Sequence, residues 1–130
     1  MQTVETIANK LQVILPQNWN KVVFYAEITD DSYEMFYYVY TLDSDKPIQC
    51  YDLPDKYVID EEQIDSVFDE LFEPLRDERN QLVLEGKDAW TNYTLTFSDD
   101  GSFKVDYDFT SLTDGGYEYR KTWKQKYIDI

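Results

Sequence analysis

The 130-residue sequence contains no histidine, one cysteine and no long apolar run. The lack of an imidazole general base excludes Ser-His-Asp and Cys-His catalysis, as well as two-histidine zinc sites. The lone cysteine, Cys50, can form neither an internal disulfide nor a thiolate zinc cage, and we interpret it as a buried, unreactive thiol. The apolar stretches at 22–26 and 35–40 are far too short to span a membrane.

Glycine and proline are also scarce, with four of each, whereas aromatic residues make up 17% of the chain. Disordered acidic segments are poor in large apolar residues, so we expect this chain to fold, as one domain over residues 1–130. The N-terminus lacks the cationic start of a targeting signal, which predicts a cytoplasmic protein. The sequence shows no metal-binding or cofactor-binding motif, and we expect neither group.

Acidic residues outnumber basic residues by 27 to 12, which gives a formal net charge of −15. Such a surface repels phosphate backbones and anionic lipids, and it attracts basic partners over a range that salt shortens. The charge therefore predicts a basic protein partner and argues against nucleic-acid or membrane binding.

The first half of the chain contains a helix pattern followed by strand patterns. Apolar residues recur at three- and four-residue steps over 3–15, which predicts a helix that ends at Pro16. Two runs rich in β-branched and aromatic residues, 22–29 and 33–42, flank turn-forming residues and predict a β-hairpin. Residues 48–53 could add a third strand.

The longest predicted helix covers residues 61–85 and begins after Asp60, which forms a capping box with Gln63. Pro74 lies within this helix and predicts a kink or two consecutive helices.

Alternating apolar residues predict a second hairpin over 91–98 and 103–109. Tyr119, Trp123 and Tyr127 stand at four-residue steps and predict a C-terminal helix. The predicted fold is α+β: an antiparallel sheet of four to five strands, built from two hairpins, with N-terminal, central and C-terminal helices packed on one face.

The central helix concentrates the negative charge, because residues 60–85 hold ten acids and two bases. Five of these acids fall on the side opposite the apolar stripe: Glu62, Asp65, Asp69, Glu73 and Asp77. Acids four residues apart rise about 6 Å along a helix, close to the phosphate spacing of one DNA strand. The face is either an ordinary solvated helix surface or a surface that occupies a basic groove.

Two further surfaces have alternative interpretations. Tyr38 and Tyr40 share one face of the first hairpin, where they would supply contact area to a partner or to a second copy, so monomer and homodimer both stay open. The basic residues of the C-terminal helix either neutralise part of the acidic helix or form a separate patch; they are Arg120, Lys121, Lys124 and Lys126.

One pair of carboxylates suggests an alternative, catalytic interpretation of the sequence. Asp106 and Asp108 share one face of a strand and could serve a small hydrolase, although acids at these positions also keep a sheet edge soluble. The chain has no EF-hand loop, Walker loop or dinucleotide-binding motif.

An ordered set of short motifs, spread over the whole chain, resembles the YezG-like (EsaG-like) immunity proteins. The motifs are Ile14-Leu15-Pro16, Trp19, Lys21-Val22, Tyr25-Ala26-Glu27, Asp30-Asp31-Ser32, Asp52-Leu53-Pro54, Trp90-Thr91-Asn92, Gly101, Phe103, Asp106-Tyr107 and Trp123-Lys124-Gln125-Lys126-Tyr127. The resemblance implies a non-enzymatic cytoplasmic antitoxin of Gram-positive bacteria. Such a protein binds the C-terminal domain of a cognate polymorphic toxin, often a nuclease exported by type VII secretion.

The resemblance carries over no catalytic residues. The predicted partner-binding residues therefore rest on charge and on exposed aromatic surface: Glu62, Asp65, Asp69, Glu73, Asp77, Tyr38 and Tyr40. The leading hypothesis is an inhibitor whose acidic surface occludes or distorts the active site of a basic nuclease domain. The alternatives are a small carboxylate-dependent hydrolase and a structural or adaptor domain without a toxin partner.

Overall fold

The computed structural model describes residues 2–112 and 115–128. Its helices are α1 (Gln2–Leu11), α2 (Glu61–Leu84) and α3 (Tyr117–Tyr127). Its strands are β1 (Trp19–Ile28), β2 (Tyr33–Thr41), β3 (Ile48–Gln49), β4 (Asn92–Ser98) and β5 (Phe103–Asp108). The strands form one antiparallel sheet in the order β3-β2-β1-β4-β5. The predicted α+β class, both hairpins and all three helices are confirmed.

One face of the sheet packs against α1 and α2. Alternate residues of β1, among them Val22 and Phe24, point into this core together with Tyr37 of β2. They meet Ile7 of α1 and Leu71 of α2, which are fully buried. α1 and α2 therefore cover an apolar layer that β1, β2 and β4 supply.

The other face packs against α3, so the prediction that all three helices lie on one face is wrong for this helix. Val23, Tyr25 and Tyr38 form a second buried cluster with Trp123 and Ile128. The reason lies in β1 and β2, where large apolar side chains occupy both alternating sets of positions. Both faces of these strands therefore need a covering layer.

Three local departures have identifiable causes. α2 continues as one helix through Pro74, so two consecutive helices are not formed. Only Ile48–Gln49 of the predicted third strand pairs with β2, because Cys50–Asp55 forms a 3-10 helix. The side chain of Gln49 starts that turn by accepting a hydrogen bond from the Tyr51 N–H at 2.8 Å. The N-terminal helix likewise tightens into a 3-10 turn at Gln12–Ile14 before Pro16.

Candidate functional site

α2, which carries the predicted acidic face, is held in place by a capping box and by a buried apolar stripe. The predicted capping box at its start is present: the Gln63 N–H donates to Asp60 at 2.9 Å, and the Asp60 N–H donates to the Gln63 side chain at 3.0 Å. Its inner stripe is buried in the core and comprises Ile64, Val67, Phe68, Leu71 and Leu75. Because one stripe is anchored, the opposite side of the helix is oriented toward solvent.

All five predicted carboxylates, Glu62, Asp65, Asp69, Glu73 and Asp77, are exposed on this outer side. We call them the α2 acidic face. Tyrosine hydroxyls orient two of them from the neighbouring chain segments. Tyr51 donates to Asp65 at 2.7 Å, and Tyr33 donates to Asp69. Burial, followed by the hydrogen bond to its aspartate, raises the pKa of each tyrosine, so both remain proton donors at neutral pH.

The other three members of the α2 acidic face keep their charge available. Within residues 2–112 and 115–128, no ion pair or hydrogen bond involves the side chain of Glu62, Glu73 or Asp77. Arg76 is the cation nearest to them in sequence, and its guanidinium carbon lies 5.1 Å from the centre of the Phe72 ring.

Two further charged residues of α2, Glu70 and Arg79, contact neighbouring elements. Glu70 pairs with Lys10 of α1 at 3.0 Å. Arg79 donates through Nε to the Trp90 carbonyl at 2.8 Å, and its Nη1 atom lies 3.8 Å from Asp30 at the tip of the first hairpin. These contacts place the acidic hairpin tip beside α2 and extend the negative surface in that direction.

Tyr38 and Tyr40 do not join the α2 acidic face, because they point to the opposite side of the sheet. Tyr38 is only 9% exposed and lies beneath α3, with its ring centre 6.3 Å from that of Trp123. Tyr40 is half-buried, with the Lys21 ammonium 5.0 Å from its ring centre. The predicted site residues therefore fall into two separate groups, and α3 covers much of the aromatic face that suggested a homodimer.

Polar contacts that the sequence pattern did not identify fix α3 on the sheet. The Arg120 guanidinium contacts Glu27 at 2.8 Å, and Glu27 also accepts a hydrogen bond from Tyr25 at 2.6 Å. The Trp123 indole donates to the buried Thr94 hydroxyl at 2.8 Å. Glu27 and Arg120 are 93 positions apart in sequence, and no local spacing signals such a pair. The basic residues of α3 therefore form a patch separate from the acidic helix.

Asp106 and Asp108 line a cleft of about 550 Å³ between α3 and the β4–β5 hairpin. Asp106 accepts a hydrogen bond from Tyr127 at 2.8 Å, and Asp108 accepts one from the Thr110 N–H at 2.8 Å. Partial burial acts to raise the pKa of Asp108, but hydrogen bonds from Thr110, Asn92 and Tyr119 outweigh it and lower the pKa. A general acid needs a raised pKa, so these contacts do not favour Asp108 as the acid of a catalytic pair.

Cys50 is fully buried, and this burial raises the pKa of its thiol to about 12, as expected for an unreactive cysteine. Among the described residues there is no group of three or more His, Cys, Asp or Glu side chains arranged to hold a metal ion. In the same ranges, none of the helices has the length and apolar character needed to span a bilayer.

Comparisons with known proteins place this geometry in a family. A sequence model described as "Immunity protein YezG-like" matches residues 1–130. Immunity protein YezG of Bacillus subtilis (strain 168) is 30% identical over 129 residues, which cover 97% of this chain and 85% of the relative. Type VII secretion system protein EsaG of Staphylococcus aureus (strain NCTC 8325 / PS 47) is 26% identical over 122 residues, or 93% of this chain and 73% of EsaG. Since the family match covers its full length, the chain belongs to the YezG-like immunity protein family.

Proposed function

We propose that this protein is a non-enzymatic cytoplasmic antitoxin that binds the C-terminal domain of a cognate secreted toxin through the α2 acidic face. The toxin domain is a nuclease with a basic substrate groove. The observation that carries the proposal is the row of exposed carboxylates on a helix whose other side is anchored in the core. Family membership supports the immunity role, and the charge of the row supports the choice of partner.

The α2 acidic face resembles a nucleic-acid strand in spacing and sign. Carboxylates four residues apart, such as Asp69, Glu73 and Asp77, repeat about every 6 Å along the helix. Lysines and arginines that hold phosphates in a nuclease groove can pair with such a row instead. Occupation of the groove then excludes the substrate, and the negative field of the row accelerates the encounter.

The hydrogen bonds from Tyr33 and Tyr51 restrict the Asp69 and Asp65 carboxylates before any partner binds. Immobilising a free side chain on association costs about 0.5–1.5 kcal/mol. Because Asp65 and Asp69 are already restricted in the free protein, less conformational entropy is lost there on binding. We therefore expect these two carboxylates to contribute to a long-lived complex. Glu62, Glu73 and Asp77, which lack such contacts, contribute mainly to the rate of association.

The first prediction tests this placement of the interface. Simultaneous Glu62→Lys, Glu73→Lys and Asp77→Lys substitutions reverse the exposed charges without removing a hydrogen bond seen among the described residues. We expect the variant to lose at least 100-fold in affinity for the toxin domain, because attractive pairs become repulsive. Growth rescue and copurification on co-expression with that domain measure the effect, and stopped-flow mixing at several salt concentrations measures the association rate.

A matched variant with Glu5→Lys, Asp45→Lys and Glu118→Lys makes the same change in net charge at exposed positions on other elements. It should still protect cells and copurify with the toxin domain. Equal loss in both variants would show that net charge alone matters, and full protection by the α2 variant would refute this interface. Growth arrest by the toxin domain that the wild-type chain does not relieve would refute the antitoxin function itself.

A further inference from the structure

The two edges of the sheet differ in how they are protected. On one side β3 contributes only Ile48–Gln49 before the chain turns into the 3-10 helix Cys50–Asp55. On the other side β5 presents six residues and is the last strand of the sheet. Phe103 and Tyr107 of β5 are 45% and 44% exposed, respectively. Long edge strands with exposed aromatic residues are normally avoided in monomeric proteins, because they pair with other strands.

The hydrogen bonds of the second hairpin determine which backbone groups of β5 point outward. The Ser98 N–H donates to the Ser102 carbonyl at 3.0 Å, and the Thr91 N–H donates to the Asp108 carbonyl at 2.9 Å. Even-numbered residues of β5 therefore direct their backbone groups toward β4. Backbone groups alternate in direction along an antiparallel strand, so those of Phe103, Val105 and Tyr107 point to the open edge.

We propose that β5 pairs antiparallel with β5 of a second copy, about a two-fold axis through Val105. In this register Val105 faces the partner's Val105, and Phe103 faces the partner's Tyr107. These are the residues with outward backbone groups, so each facing pair can exchange two N–H···O=C bonds. The five-stranded sheets of two copies then form one continuous sheet.

Charge complementarity selects this register. Lys104 faces the partner's Asp106, and Asp106 faces the partner's Lys104, in the pairs where opposing side chains approach most closely. The Lys104 ammonium already lies 3.9 Å from Asp106 of its own strand. Two lysines and two aspartates thus alternate around the two-fold axis.

Neighbouring symmetric registers lack this complementarity. Moving the axis by one residue places either Lys104 opposite the partner's Lys104 or Asp106 opposite the partner's Asp106. Like charges in directly opposed positions destabilise strand pairing. The pattern of one lysine and one aspartate, two residues apart, therefore specifies pairing with the same sequence.

This interface is separate from the surface proposed to bind toxin. An axis perpendicular to the sheet leaves α1 and α2 of both copies on the same side, with the α2 acidic faces pointing to solvent. Self-association can therefore be tested on the isolated chain, and its result does not depend on the antitoxin proposal.

Sedimentation equilibrium of the purified protein, up to millimolar concentration, gives the test. We expect reversible association from the 15.6 kDa monomer to a dimer of twice that mass. Lys104→Glu and Asp106→Lys each place like charges opposite one another at both symmetric positions, and each should weaken the dimer about tenfold or more. Lys121→Glu makes the same charge change as Lys104→Glu on the exposed surface of α3 and should leave the dimer unchanged.

Mixing the two charge variants gives the decisive result. In a heterodimer of Lys104→Glu with Asp106→Lys, both cross-strand pairs again join opposite charges, so the equimolar mixture should recover dimerisation. Val105→Pro removes an outward-pointing N–H without disturbing the bonds to β4, and it should abolish the dimer while the circular dichroism spectrum stays native. A wild-type chain that stays monomeric at every concentration, or charge variants that do not complement each other, would overturn the proposal.

Discussion

The two faces of the sheet are stabilised by different interactions, although the same central strands contribute side chains to both. The face under α1 and α2 is a broad apolar layer in which Phe24, Leu71 and Leu75 are buried among many other hydrocarbon side chains. The face under α3 is narrower, and its aromatic cluster is tied to hydrogen bonds and one ion pair, including the Trp123–Thr94 and Arg120–Glu27 contacts.

The difference shows how α2 and α3 are fixed on the same sheet by different kinds of contact. Apolar burial has no directional requirement and grows with area, so α2, with 24 residues, can rely on it. α3 has 11 residues and buries one side chain of its own helix, Trp123. Its position therefore depends on directional contacts, and single polar substitutions should affect α3 more selectively than they affect α2.

The largest expected effect concerns the apolar face and the thiol within it. Because burial raises the pKa of Cys50 to about 12, the thiolate population at pH 8 falls by roughly 1,000-fold relative to an exposed cysteine. We expect Cys50 to react with a chromogenic disulfide reagent at least that much more slowly in the native protein than in urea. Rapid labelling of the native protein would show that the apolar face opens locally as readily as the face under α3.

A leucine pair on α2 measures the apolar face directly. Leu71 is fully buried, and Leu71→Ala should lower the free energy of unfolding by about 2–5 kcal/mol because it leaves a cavity. Leu84 is 81% exposed on the same helix, and Leu84→Ala should change that free energy by less than about 0.5 kcal/mol. Urea denaturation followed by circular dichroism gives both values, and similar losses would contradict the assignment of the inner stripe.

The smallest effect isolates the directional contacts of the α3 face. Trp123→Phe keeps an aromatic ring but removes the indole donor to Thr94, and it should destabilise the protein by about 1–2 kcal/mol. Thr94→Val removes the other partner, and a double-mutant cycle should show a coupling of about 1 kcal/mol. Hydrogen exchange should accelerate in α3 while α2 stays protected. If the two substitutions are additive, and if hydrogen exchange accelerates equally in α2 and α3, the proposed difference between the two faces is wrong.

Local patterns predict the elements of this fold well. The capping box at Asp60 and Gln63, the turns of both hairpins and the aromatic spacing of α3 are all determined by residues close in sequence. The continuity of α2 through Pro74 is not determined by the local sequence pattern. The buried contacts of Leu71 and Leu75, on either side of the proline, outweigh its local cost.

The side of the sheet that each helix covers was harder to predict. In β1, Phe24 and Tyr25 are adjacent and both fully buried, so alternation along the strand does not identify a single inner face. For the candidate site, helical periodicity correctly predicted the exposure of the α2 acidic face. It gave no information on Tyr38, because the cover over that residue comes from α3, which lies far away in sequence.

Because α2 and α3 lie on opposite sides of the sheet, their charges give the molecule an electric dipole. α2 carries eight acids and two arginines, whereas α3 carries four bases and one acid. In the field of a strongly basic protein, such a dipole experiences a torque that turns α2 forward and α3 away before the surfaces touch. The placement of a short basic helix behind the sheet thus biases the orientation of each collision with such a protein.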